Sequence, residues 1–225
     1  MPRRRVLYYL QPPKDVLPKR TLIFDFDGTL ADTLPRIVAI SNRLASEFGY
    51  CQVHEADIEA LRGQRSREVL RRLQVPLFKM PAIARRFKSE LQKEIHLVTP
   101  FASVRAVIEQ LQPYYTLGVV TSNSVANVNK FLDANSMTHF RFVRSSAGLF
   151  GKSRVLNRVL RENRLAKSDT LYVGDEVRDI EAARACGVDA IAVTWGANST
   201  DKLAQWQPRF MAHRPEELLT IVANW

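Results

Sequence analysis

Asp25 and Asp27 stand one residue apart, at the end of the apolar run Thr21-Leu-Ile-Phe and just before Gly28-Thr29. In a strand, alternate residues point to the same side, so the two carboxylates are expected to share a face where the strand leaves its sheet. Two acids that close repel each other and are costly to bury unless a cation or a shared proton compensates. Taken alone, Asp-x-Asp is also how a strand ends in a solvated acidic turn. What decides between these readings lies farther along the chain: Thr121-Ser122-Asn123, Lys152 after Phe150-Gly151, and Gly174-Asp175 with Asp179 four residues on. Carboxylates, hydroxyls and one lysine suit a divalent cation beside a phosphoryl group.

These residues need elements to bring them together. Ile37, Ile40, Leu44 and Phe48 recur at helical spacing before Gly49; Val69, Leu70 and Leu73 suggest a second helix, and Pro81 opens a third over 82–95. After Pro100 the pattern alternates. Strands are expected at 116–120, 140–144, 170–173 and 189–194, with helices at 103–111, 125–132, 153–162 and 180–185, the last stopped by Gly187. An edge strand is expected near Phe210 and a closing helix over 215–222. Strand and helix in alternation imply a parallel sheet with right-handed crossovers and helices on both faces. In such sheets ligands bind outside the carboxyl ends of the strands, which is where Asp25, Asp27, Thr121, Asp175 and Asp179 fall. Lys152 is expected in the loop before its helix. The stretch 33–99 interrupts this alternation with helices alone, and its length suggests a lobe of its own.

The ordered set Asp25-Phe-Asp-Gly-Thr-Leu, Thr121-Ser-Asn, Lys152 and Gly174-Asp175-Glu-Val-Arg-Asp179 resembles the four motifs of the haloacid dehalogenase superfamily. Within it, the chain is similar to the helical-cap phosphatases described as phosphoglycolate phosphatases, including Asp179-Ile-Glu-Ala-Ala-Arg, Val193-Thr-Trp-Gly and Arg214-Pro-Glu-Glu-Leu-Leu. The resemblance implies an α/β fold: a Rossmann-like parallel sheet core over 21–32 and 100–225, with an inserted α-helical cap domain over 33–99 and a basic arm over 1–20. It implies a magnesium-dependent phosphatase acting through an aspartyl phosphate. Asp25 would be the nucleophile and Asp27 the general acid and base. Thr121, Ser122, Asn123 and Lys152 would bind phosphate, and Lys152 would also serve catalysis. Asp25, Asp27 through its carbonyl, and Asp175 would hold Mg2+. Asp179 would either hold Lys152, reach the cation through a water, or only stabilise its own helix. Asp32 would cap a helix or line the entrance.

Composition bounds the partners. The chain has 225 residues, 46% of them hydrophobic, enough for a full core. No apolar run approaches the length of a membrane span, and the two cysteines have no metal spacing, so a reducing cytoplasm is expected. The net charge of +10 is concentrated: residues 1–20 carry six Lys/Arg against one acid, residues 33–99 twelve against seven, and the remainder is neutral. Arg65 and Arg67, in the arginine-dense turn 62–67, are candidate grips for a small anionic substrate such as phosphoglycolate; the alternative is a solvated basic helix start. Two further readings stand beside a phosphatase. One is a sugar phosphate mutase of the same superfamily. The other, which the intact motifs disfavour, is a nucleic-acid-binding protein with a vestigial site.

Overall fold

The computed structural model describes residues 20–62, 64, 66–146 and 151–225. The arm expected over 1–20 lies outside them apart from Arg20, whose guanidinium sits 4.8 Å over the Trp225 ring and donates to the Trp225 carbonyl.

Six strands form one sheet: β1 (Thr21–Phe24), β2 (Thr116–Thr121), β3 (Phe142–Ser145), β4 (Thr170–Gly174), β5 (Asp189–Val193) and β6 (Phe210–Ala212). All the pairings are parallel and the order is β3-β2-β1-β4-β5-β6. β1 is fully buried and central, which is why its four residues are apolar or, for Thr21, β-branched. The pleat divides the core. Leu22 and Phe24 pack on one face with Leu117, Val119, Leu171 and Val173; Ile23 packs on the other with Val120 and Tyr172.

Helices cover both faces. α5 (Val104–Leu111), α6 (Val125–Ala134) and α10 (Glu217–Ala223) contribute Val107, Ile108, Phe131 and Leu218 to the first face. α7 (Lys152–Glu162) and α8 (Val177–Cys186) contribute Leu156, Val159, Ile180 and Ala183 to the second. Phe26, just past β1, meets Phe131 edge to face at 5.0 Å, which anchors the loop after the central strand to α6. Burying an aromatic side chain of this size contributes roughly 1.5–3 kcal/mol.

Between β1 and α5 the described residues are helical, with no strand among them: α1 (Leu34–Phe48), the short α2 (Ile58–Arg62), α3 (Ser66–Arg72) and α4 (Met80–Glu94). Gly49 closes α1 at φ 75°, and Pro81 stands in the first turn of α4, as their positions in sequence predict. The segment leaves and rejoins the sheet domain at neighbouring points, since Asp32 N–H donates to the Thr99 carbonyl at 3.0 Å and Ala31 bridges to Pro100.

Two sequence expectations are refined, and two short helices are added. Lys152 is the first residue of α7 rather than part of the preceding loop. Thr33, not Asp32, occupies the cap position of α1, because the backbone at Asp32 is committed to Thr99. α2 and α9 (Thr200–Ala204), five residues each, are too short to show a periodic apolar pattern.

Candidate active site

β1 lies between β2 and β4, and the crossovers run to opposite sides of it. The crevice at the carboxyl ends of β1 and β4 is therefore the topological switch point of the sheet. Asp25 follows β1 there and Asp175 follows β4. The Asp25 N–H extends the ladder by donating to the Val173 carbonyl at 2.8 Å, which holds the two chain ends in register.

Asp25, Asp175 and Asp179 are 1%, 0% and 1% exposed, and Lys152 only 4%. One carboxylate oxygen from each acid falls within a cluster less than 4.8 Å across. The Lys152 ammonium lies 2.9 Å from Asp25 Oδ2 and donates to Asp179 Oδ1. Asp179 Oδ2 accepts from the Glu176 N–H at 3.0 Å, so this acid both caps α8 and holds the lysine. Asp175 is fixed by Thr29 Oγ1, 2.7 Å from Oδ1, and by the Ala197 N–H, 2.7 Å from Oδ2.

Two glycines make this packing fit. A Cβ at Gly28, whose φ is +78°, would fall 2.2 Å from Asp175 Oδ2, and one at Gly196 would fall 2.3 Å from Asp175 Cβ.

The charges do not balance, and the acids respond. Burial, then the Asp25 and Asn123 neighbours acting in opposite directions, leaves the Asp27 carboxyl pushed up to about 6. Burial likewise raises Asp179 to about 6 against the opposing pull of Lys152. Asp175 is raised well above the usual carboxylate range by burial and then by the Glu176, Asp179 and Asp25 charges. For Lys152, burial disfavours the charge, but Asp179 and Asp25 outweigh it and hold the ammonium well above its ordinary range.

Asp25 Oδ1 is buried with no hydrogen-bond partner. An unpartnered carboxylate oxygen inside an acidic cluster is costly, and a hard divalent cation satisfies it, so the residues present fit Mg2+.

The Asp27 carboxylate is not one of the clustered groups. Both its oxygens accept from Asn123 Nδ2, each at 3.1 Å. Thr121, fully buried at the end of β2, accepts from the Asn123 N–H at 3.0 Å through Oγ1, and Ser122 stands between them, partly exposed. Thr121, Asn123, Asp25, Asp27, Lys152, Asp175 and Asp179 thus share one edge of the sheet. In the helical segment, Arg67 is exposed on α3, and Arg65 lies outside the described residues.

Sequence reading missed Thr29, Gly196 and Ala197, which seat Asp175. Thr29 and Asp175 are 146 positions apart, and a backbone N–H leaves no signature in residue type. The side chain of Asn123, a residue expected to bind phosphate, is directed at Asp27.

The sequence pattern of the family described as haloacid dehalogenase-like hydrolase matches residues 22–193, which include Asp25, Asp27, Thr121, Lys152, Asp175 and Asp179. The chain belongs to that family. It is 35% identical over 207 residues to a phosphoglycolate phosphatase from Synechococcus elongatus, covering 91% of this chain and 98% of that one. A phosphoglycolate phosphatase from Xylella fastidiosa is 29% identical over 216 residues, covering 88% and 91%. Among solved structures, a haloacid dehalogenase-like hydrolase from Streptococcus pneumoniae superposes with a TM-score of 0.81 at 22% identity, over 91% of this chain and 98% of that one. A haloacid dehalogenase-like protein from Agrobacterium tumefaciens gives 0.72 at 18%, over 92% and 98%. These likenesses bear out the parallel α/β sheet flanked by helices.

Proposed function

We propose that this phosphatase hydrolyses a small anionic phosphomonoester, phosphoglycolate first among candidates, through an aspartyl phosphate on Asp25. The observation that carries the reading is the Asp25 carboxylate itself: one oxygen held by Lys152 at 2.9 Å, the other buried and unpartnered at the switch point. The relatives named phosphoglycolate phosphatase support the substrate.

Asp25 is the nucleophile. Its oxygen forms a bond to phosphorus as the bond from phosphorus to the ester oxygen breaks, and Asp27 gives its proton to the leaving alcohol. Asp27, now ionised, takes a proton from water as that water attacks phosphorus and frees Asp25. A carboxyl pushed up to about 6 is suited to carrying a proton in both directions near neutral pH. Lys152 and Thr121 hold the phosphoryl oxygens, with the lysine's fixed charge offsetting the negative charge of the transition state. Asp25, Asp175 and the Asp27 carbonyl would hold Mg2+, with Asp179 beside them. The cation would supply Lewis-acid polarisation of the phosphoryl oxygens and screen the approach of carboxylate to phosphate.

We assign residues 33–99 as a cap over the sheet domain, with Arg65 and Arg67 as grips for the substrate's acid group. No helix of the described residues is long and apolar enough to cross a membrane, and a cytoplasmic enzyme without nucleic-acid partners fits this reading.

The test is phosphate release over a panel of small phosphomonoesters with and without magnesium, using the wild type and Asp25→Asn. Magnesium-dependent release that Asp25→Asn abolishes supports the reading. Hydrolysis that survives the substitution sinks it, and an isomerised phosphosugar without phosphate release would make the protein a mutase.

A further inference from the structure

Asn127 lies in the first turn of α6, only 2% exposed, and none of the roles above requires it. Its backbone N–H is already capped by Ser124 Oγ at 3.2 Å, so its side chain is not needed to start the helix. That side chain donates from Nδ2 to Asn123 Oδ1 at 2.9 Å, and the Ser124 N–H donates to the same oxygen at 2.8 Å.

A primary amide has one acceptor edge and one donor edge. With two donors on its oxygen, Asn123 can present only its NH2 group to Asp27, and that group meets both carboxylate oxygens at 3.1 Å. The Asn123 backbone is also pinned, its N–H on Thr121 Oγ1 at 3.0 Å and its carbonyl on Ser145 Oγ at 2.6 Å. The relay from helix to acid therefore has one torsional choice, the direction of the Asn123 amide. Asn127 and the Ser124 N–H make it together, and Asn127 is the side chain in that pair.

We propose that Asn127 is a positioning residue for proton delivery: acting through Asn123, it sets the orientation of the Asp27 carboxyl relative to the leaving oxygen. This rests on the assignment of Asp27 as the acid that protonates the departing alcohol. Without the Asn127 donor, only the Ser124 N–H still holds the Asn123 oxygen, and a turn of the amide that places its carbonyl toward Asp27, lone pairs against lone pairs, is opposed by one hydrogen bond instead of two.

Two esters separate this role from a structural one. From phosphoglycolate the glycolate leaves as an alkoxide that needs a proton; from 4-nitrophenyl phosphate the 4-nitrophenol part leaves as a stabilised phenolate that does not. Both kcat/KM values report the phosphorylation of Asp25, so a misplaced acid lowers only the first. Asn127→Ser is expected to lower kcat/KM for phosphoglycolate about tenfold and for 4-nitrophenyl phosphate by less than about twofold. Asn127→Asp, close in shape, should do the same, and its melting temperature checks that the fold is kept. In an Asn123→Ala background, either substitution should add nothing further to the selective loss.

Equal losses on both esters, or additive losses in the double variant, would overturn the role while leaving the phosphatase reading intact. A wild type that turns over neither ester would overturn both.

Discussion

The end of the sheet and the helical segment 33–99 use charge in opposite ways. At the sheet end, Lys152 and Asp25 pair at 2.9 Å with side chains 4% and 1% exposed. In the helical segment, Arg72 and Asp57 pair at 2.7 Å, but with 44% and 37% exposed. The distances are alike and the consequences are not. Water screens the second pair, which is worth roughly 0.2–1 kcal/mol. The first is shielded from water and stands among acids whose protonation is displaced by burial, so removing either partner strands a charge. One region is pre-built for a reaction, with its side chains hydrogen-bonded in place. The other carries its charges on a basic, solvent-exposed surface.

The comparison breaks most sharply at Asp25. Asp25→Asn should lower kcat by roughly ten-thousand-fold while leaving the fold intact, measured by phosphate release beside a circular dichroism spectrum. Lys152→Met should lose activity and also stability, by about 3 kcal/mol at pH 7 in denaturant titrations, with a smaller deficit near pH 5 where the stranded acids take up protons. Gly28→Ala forces a Cβ to within 2.2 Å of Asp175 Oδ2 at a φ of +78°. Its expected cost is on the order of a hundredfold in kcat/KM, since a displacement of about 1 Å is felt on that scale.

The acidity of Asp27 gives a pH signature. Its carboxyl rises from an ordinary 3.8 to about 6 on folding, so the folded state binds more protons between those values. Stability contributed at this site is therefore lost as pH rises from 3.8 toward 6. In magnesium-free buffer, the melting temperature of Asp27→Asn relative to wild type should climb through that window and level off above it. A difference that is flat with pH would show that Asp27 is not strained by burial.

The smallest effect is expected in the helical segment. Arg67→Ala should raise KM for phosphoglycolate about fivefold through loss of an anion contact. Its stability should change by less than about 0.5 kcal/mol, as befits an exposed side chain. A large loss of kcat there would erase the contrast between the two regions.

Much of this was legible in residue order. The apolar β-formers of 21–24 and the acids that follow them mark a buried strand with chemistry at its mouth, because a strand end is where side chains leave the core. The alternation after Pro100 implies the parallel sheet, and Gly49, Pro81 and Gly187 mark helix boundaries through backbone geometry. The local patterns extend no further than the elements themselves. Thr29 on Asp175 joins positions 146 apart and the Ala197 N–H reaches the same carboxylate from 22 positions away, while Gly28 and Gly196 leave the space that carboxylate fills; these segments meet at one point only in the folded chain.

The sequence by itself determined the strand ends, the helical interruption and the residue types from which phosphoryl chemistry can be built, since these follow from periodicity and side-chain chemistry. Only the tertiary structure decided which oxygen is held and which is left open. Asp25 Oδ2 is taken by Lys152 and Oδ1 by nothing, while Asp27 accepts from an asparagine whose own amide is held by the Ser124 N–H and by Asn127 of α6. Hydrogen bonds are satisfied in three dimensions, by whichever groups the fold brings within about 3 Å, and no spacing along the chain encodes that choice.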